Sequence, residues 1–119
     1  MAHPATWQRL LGSAEVGVGE VRGADIDGSE LVAWRGADGA VVVSDARCPH
    51  LWSHLEGEGV VDGCELVCAA HFWRFDATGH GTKLNVLGRR DVKSDIRVYP
   101  SREVEGFVEV ALDPRPPGG

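Results

Sequence analysis

The chain reads as a succession of short apolar runs separated by turn residues, with apolar and polar positions alternating in twos. "ELVAWRG" (30–36) and "AVVVSDA" (40–46) flank "GADG", whose Asp38-Gly39 pair signals a hairpin turn. "GVVDGCELVC" (59–68) repeats the device, with Asp62-Gly63 between two Val/Leu runs. "DIRVYP" (95–100) alternates Ile96 and Val98 with Arg97 and Tyr99. "FVEVAL" (107–112) follows as a strand, after a turn expected over "SREVEG" (101–106). No segment sustains a helical stripe of three turns, although "SAEV" (13–16) suits a single short turn, and no repeat of solenoid length is present. The pattern predicts an all-β, antiparallel architecture built of hairpins, two packed sheets or a barrel-like sandwich.

The hairpin expected at Asp62-Gly63 matters most. It folds the chain back so that a loop at 48–54 and a second at 68–73 lie side by side. Length adds a constraint: 119 residues fit one domain with a core of its own, expected over 1–112. The tail "DPRPPGG" (113–119) has nothing to bury and is expected to be disordered.

Charge is uneven. Residues 1–70 hold eleven acids and four bases, and 71–119 hold seven acids and eight bases, for a net −6. This balance argues against nucleic acid as a partner and allows docking onto a basic protein surface. No apolar run is long enough to cross a membrane, and "MAHPATWQRLLGSAEVGVGE" lacks the basic and apolar regions of a secretion signal, so a soluble cytoplasmic monomer is expected. Three cysteines, an odd number, do not suit a disulfide framework. Metal binding is the better use for them.

"CPHLWSH" (48–54) and "CAAH" (68–71) each pair a cysteine with a histidine, C-x-H and then C-x-x-H, with seventeen residues between. Cys48, His50, Cys68 and His71 supply two thiolates and two imidazoles, a donor set for zinc or for an iron–sulfur cluster. A structural zinc site draws its ligands as tight Cys pairs and His pairs. Here each pair is mixed, which suits two irons gripped from both loops: Cys48 and Cys68 on one, His50 and His71 on the other. Two histidines replacing two cysteines on one iron is the ligand pattern of a Rieske 2Fe–2S centre. The competing readings are a zinc-stapled β module for protein binding and a Cys68/His71 nucleophile, for which no substrate pocket is suggested.

Over roughly 43–81 the two motifs, the aromatic run and "FDATGHG" resemble the Rieske ferredoxin family, and the strand pattern extends the likeness along most of the chain. "CAAHFWRFDATGHG" is most similar to the Rieske ferredoxins of toluene monooxygenase systems. Beyond Gly81, "TKLNVLGRRDVKSD" (82–95) matches nothing in the pattern. The first loop carries Leu51-Trp52 where family members often have Gly soon after the first histidine.

The resemblance implies a Rieske-type fold, a base β-sandwich bearing a small cluster-binding subdomain of two loops. It also implies a soluble one-electron carrier between a flavin-containing reductase and an oxygenase of hydrocarbon or aromatic substrates, not an enzyme by itself. A Rieske domain of a ring-hydroxylating dioxygenase or nitrite reductase is the rival, disfavoured on the expectation that about 45 residues after His71 leave no room for a catalytic domain. High-potential Rieske proteins carry a Ser and a Tyr near the second loop and a disulfide between the loops; this chain has Trp73 and Phe75, and Ser53 and Ala70, at those places. A midpoint near the lower end of the Rieske range follows.

Cys64 is expected on a strand, sharing a face with Leu66 and Cys68 as a core thiol, about 13 Å from Cys68. His54 and His80 fit neither loop spacing and read as surface or supporting histidines. Trp52, Phe72 and Trp73 are expected to shield the cluster and pack the loops, with a docking rim as the alternative. "GVGEVRG" (17–23) has G-x-G-x-x-x-G spacing with no strand–helix unit after it, and its glycines read as turn residues.

Overall fold

In the computed structural model, which describes residues 6–112, β1 (Thr6–Gly12) runs through a single 3-10 turn (Ser13–Glu15) into the hairpin of β2 (Val21–Ile26) and β3 (Ser29–Arg35). Asp27 and Gly28 close that hairpin with φ of +50° and +80°, the conformation an Asp-Gly pair accepts most readily. The predicted Asp38-Gly39 turn then leads into β4 (Val41–Asp45). After the first loop come a one-turn helix, α1 (Leu55–Glu58), and the hairpin of β5 (Gly59–Asp62) and β6 (Glu65–Cys68). The second loop leads to β7 (Arg74–Phe75), β8 (Gly81–Leu84) and β9 (Arg90–Val92), and β10 (Val98–Tyr99), β11 (Ser101–Val104) and β12 (Phe107–Leu112) follow.

Three antiparallel sheets result, in the orders β1-β12-β11, β10-β4-β3-β2 and β5-β6-β7-β8-β9. The middle sheet is shared between two cores, and β3 shows how. Along Leu31-Val32-Ala33-Trp34 every side chain is buried, so the strand reads as continuously apolar. The pleat sorts them: Leu31 and Ala33 pack with Val16, Val43, Val108 and Val110 in the base. Val32 and Trp34 face the other way, against Val42, Leu55, Leu66 and Phe75. That second core also contains Cys48 and Cys68. The two-layer sandwich expected from sequence is therefore the base alone, and the five-stranded sheet forms the subdomain above it.

Several sequence expectations change. "SREVEG" is mostly strand: β11 pairs along β12 and only Glu105-Gly106 turn the chain. The unmatched stretch 82–95 is the β8–β9 hairpin. Cys64 sits with Gly63 in the two-residue turn between Asp62 and Glu65 and is exposed, so it is not a core thiol. The residue pair Asp62↔Glu65 closes the ladder, and the turn itself falls one residue later than an Asp62-Gly63 centre would put it. The tail 113–119 lies outside the described residues.

The "TGHG" turn has a steric reason. A Cβ at Gly79 would stand 2.1 Å from the Ile96 carbonyl oxygen, and one at Gly81 would stand 2.0 Å from that of Ser94. Both glycines let residues 94–96 close onto the subdomain, where the Ile96 N–H donates to the Gly79 carbonyl at 2.8 Å. Across the subdomain sheet, Glu65 accepts from Arg74 at 2.9 Å and from Arg90 at 2.7 Å, and Arg74 also reaches Asp62. One carboxylate thus ties β6 to β7 and β9. Among the described residues, no helix is long and apolar enough to cross a membrane.

Candidate metal centre

The two loops have the same backbone, although their motifs differ. In the first, the Trp52 N–H donates to the Cys48 carbonyl at 2.9 Å and the Cys48 N–H to the Ser53 carbonyl at 2.9 Å. In the second, the Phe72 N–H donates to the Cys68 carbonyl at 2.6 Å and the Cys68 N–H to the Trp73 carbonyl at 2.8 Å. Each loop is a single i→i+4 turn closed by a residue in the left-handed region, Trp52 at φ +66° and Phe72 at φ +64°. The change from C-x-H to C-x-x-H therefore moves the histidine one place along a fixed turn and leaves the turn unaltered.

The four donors divide by depth. Cys48 and Cys68 are fully buried, and His50 lies exposed with His71 half-buried. Burial pushes the Cys48 thiol up to about 11; the neighbouring Cys68 thiol adds to the shift, and the N–H groups of His50 and Leu51, which face the sulfur, oppose it. The two imidazoles meet edge to face, 4.8 Å between centroids at 85°. Trp73 stacks flat on His50, 4.5 Å away at 9°. The His50 pKa is lowered, first by partial loss of solvent and then by the positive charge of His71, Lys83 and Lys93.

The His71 Nδ1 atom is buried and has no hydrogen-bond partner. An orphaned ring nitrogen costs about 1–3 kcal/mol unless something bonds to it, and a metal ion would do so. Two thiols and two imidazoles would give each iron of a binuclear cluster the two protein ligands it asks for. The donor set and the unpaired nitrogen fit a 2Fe–2S group.

Comparison with known families agrees: the model of the Rieske [2Fe-2S] domain matches residues 6–100. The chain belongs to the Rieske family. A Rieske domain is an electron-transfer module whose cofactor is a 2Fe–2S cluster. The chain is 39% identical over 111 residues to cholesterol 7-desaturase nvd of Bombyx mori, a match spanning 93% of this chain and 24% of that protein. It is 38% identical over 91 residues to the oxygenase subunit of 3-chlorobenzoate-3,4-dioxygenase of Comamonas testosteroni, spanning 74% of this chain and 21% of the relative. The Sphingomonas yanoikuyae B1 ferredoxin has a similar structure, with a TM-score of 0.75 and 26% identity over 91% of this chain and all of that one. The Rieske domain described here thus spans about a quarter of the length of the curated relatives it matches.

The aromatics around the Rieske loops behave differently from one another. Trp73 packs, as expected. Trp52 and Phe72 project instead: they are 67% and 63% exposed, and Leu51 beside them is 62% exposed. A left-handed backbone turns both side chains outward, which apolar character alone could not reveal. The missing glycine after His50 was the signal, because a Trp at a place that suits Gly implies a positive φ. His54 caps α1, its Nδ1 accepting from the Glu56 N–H at 3.2 Å, and its Nε2 lies 3.4 Å from Glu30. His80 Nδ1 lies 3.1 Å from Asp95. Both are supporting histidines. Sequence reasoning missed Lys83 and Lys93, brought from the unmatched hairpin to the neighbourhood of His50.

Proposed function

We propose that this Rieske domain is a one-electron carrier of an oxygenase system, with Cys48 and Cys68 holding the inner iron and His50 and His71 the outer one. The observation that carries the reading is the division by depth: both thiols lie inside the apolar core, and both imidazoles lie toward solvent. When bound, the cluster supplies reversible one-electron chemistry. The chain's own residues do the rest. The N–H groups of His50 and Leu51 face the Cys48 sulfur and favour its anionic form. Trp73 holds the plane of the His50 ring, and Leu55, Leu66 and Phe75 exclude water from the thiolate side. No hydroxyl stands at 73 or 75 to donate to the cluster, which supports a midpoint in the lower part of the Rieske range and a flavin-containing reductase as electron source.

The terminal acceptor in this reading is an oxygenase of aromatic or hydrocarbon substrates, as the likeness of the second loop to toluene monooxygenase ferredoxins suggests, and the carrier works as a cytoplasmic monomer. A second reading, the electron-transfer segment of a larger oxygenase, is favoured by the identity to cholesterol 7-desaturase nvd along 93% of the chain. The mass of the native protein in its source cells separates the two. The cluster assignment is tested on anaerobically purified protein: two irons, two acid-labile sulfides and a rhombic EPR signal after reduction are expected, and a colourless zinc protein would overturn it. Replacing His71 by Cys should keep iron and change that signal, because a thiolate would stand where an imidazole does now.

A further inference from the structure

The β8–β9 hairpin does not enter the chemistry of the centre, yet its composition sets it apart. Val86 is fully exposed and Leu87 and Val92 are each 74% exposed. Residues 82–93 carry Lys83, Arg89, Arg90 and Lys93 against Asp91 alone, on a chain whose net charge is −6. Arg90 is committed to Glu65, and Asp91 accepts from the Asn85 amide. Among the described residues, Lys83, Arg89 and Lys93 enter no ion pair. Lys93 Nζ stands 6.0 Å from the centre of the Trp73 ring, the ring that stacks on His50. The loop stretches 48–53 and 68–73 contain no acid. The exposed histidine end of an acidic protein therefore has the Lys83 and Lys93 charges near it, and the hairpin that bears Lys83 ends in an apolar tip.

We propose that the β8–β9 hairpin is the docking arm for an acidic redox partner protein, its basic residues steering the approach and its Val86-Leu87 tip seating in the complex. The inference rests on the electron-carrier reading and reverses the charge preference that net charge suggests. Local charge decides the sign because fields are screened within about 10 Å at 0.1 M salt, so remote carboxylates count little at the contact. A second copy of this chain is the other acidic occupant to be distinguished.

The oxidised holoprotein is titrated calorimetrically with two redox proteins of opposite charge, an acidic plastocyanin and a basic cytochrome c, at low and high salt. Tighter binding of plastocyanin, weakening as salt rises, is expected. The double variant Lys83→Gln/Lys93→Gln should weaken it by about tenfold at low salt, and Val86→Ser/Leu87→Ser should weaken it equally at both salt concentrations. Preference for cytochrome c, binding of neither, or variants that match the parent would overturn the proposal. So would a dimer in sedimentation that the lysine variant dissolves, since the occupant would then be a second copy. Cluster absorbance and EPR are recorded on every sample: a protein that never holds a cluster sinks the carrier reading, whereas an intact cluster with the opposite charge preference sinks the hairpin alone.

Discussion

The matched left-handed residues of the two loops give a test in which backbone and side chain separate. Phe72 stands at φ +64° with its side chain 63% exposed. Truncation to either Ala or Gly removes the same modest contact, on the order of 70 Å² of apolar surface or about 1.8 kcal/mol at most. The two variants then differ only in the backbone. Ala at positive φ costs roughly 1–2 kcal/mol, and glycine gives back about 0.5–1 kcal/mol through its freer unfolded chain. Phe72→Gly should therefore be more stable than Phe72→Ala by about 0.5–1 kcal/mol, the reverse of the usual order in regular structure. If cluster loss follows local opening of the loop, its rate is roughly two- to fivefold slower in the glycine variant. The assay is the decay of the visible absorbance of the cluster at fixed temperature under argon, with Trp52→Gly against Trp52→Ala as the parallel pair at φ +66°. An alanine variant that holds its cluster as long as the glycine variant would show that the turn imposes no strain, and the reading of the two loops as one matched turn would fail.

Three further outcomes are expected. A redox titration should place the midpoint in the lower part of the range of about −150 to +300 mV, and Phe75→Tyr should raise it by adding a donor at a fully buried position beside the cysteines; a strongly positive parent would contradict the argument. Iodoacetamide should label the folded holoprotein once, at Cys64, and Cys64→Ser should abolish labelling without changing the EPR signal, because the thiol lies in an exposed turn. Glu65 sits below its ordinary value of 4.5 because Arg90 and Arg74 hydrogen-bond to it. Its contribution is fully present above that pH and is lost as pH falls through the lowered folded value. Replacement by Gln should cost on the order of 1 kcal/mol at neutral pH, discounted for the half-exposed Arg90, and urea midpoints of parent and variant should converge in acid.

The second loop illustrates how far a motif carries. That Cys68 and His71 meet Cys48 and His50 was legible, because the hairpin between the two motifs folds one loop onto the other. The direction of Phe72 was not, since an aromatic side chain beside a metal site packs or projects according to a single backbone angle. The hairpin turn at 38–39 was legible because a glycine there supplies the positive φ that closes the turn, +82° at Gly39. "SREV" was misread as a turn because Ser favours turns and the charged residues after it leave little apolar pattern; it pairs with β12 along the edge opposite β1. Cys64 was misplaced for a related reason. Period-two counting through "DGCELVC" puts it on the face of Leu66, but the turn begins at Gly63, so the count starts one residue later.

The sequence by itself determined the all-β class and the pairing of two Cys/His loops through one hairpin, because these rest on residue chemistry and on short-range periodicity. Only the tertiary structure decided which donors lie inward, which aromatics face solvent, and that a basic hairpin stands beside the histidines of an acidic chain. Those are matters of distance between segments far apart along the chain, fixed by how three sheets pack, and no local pattern records them.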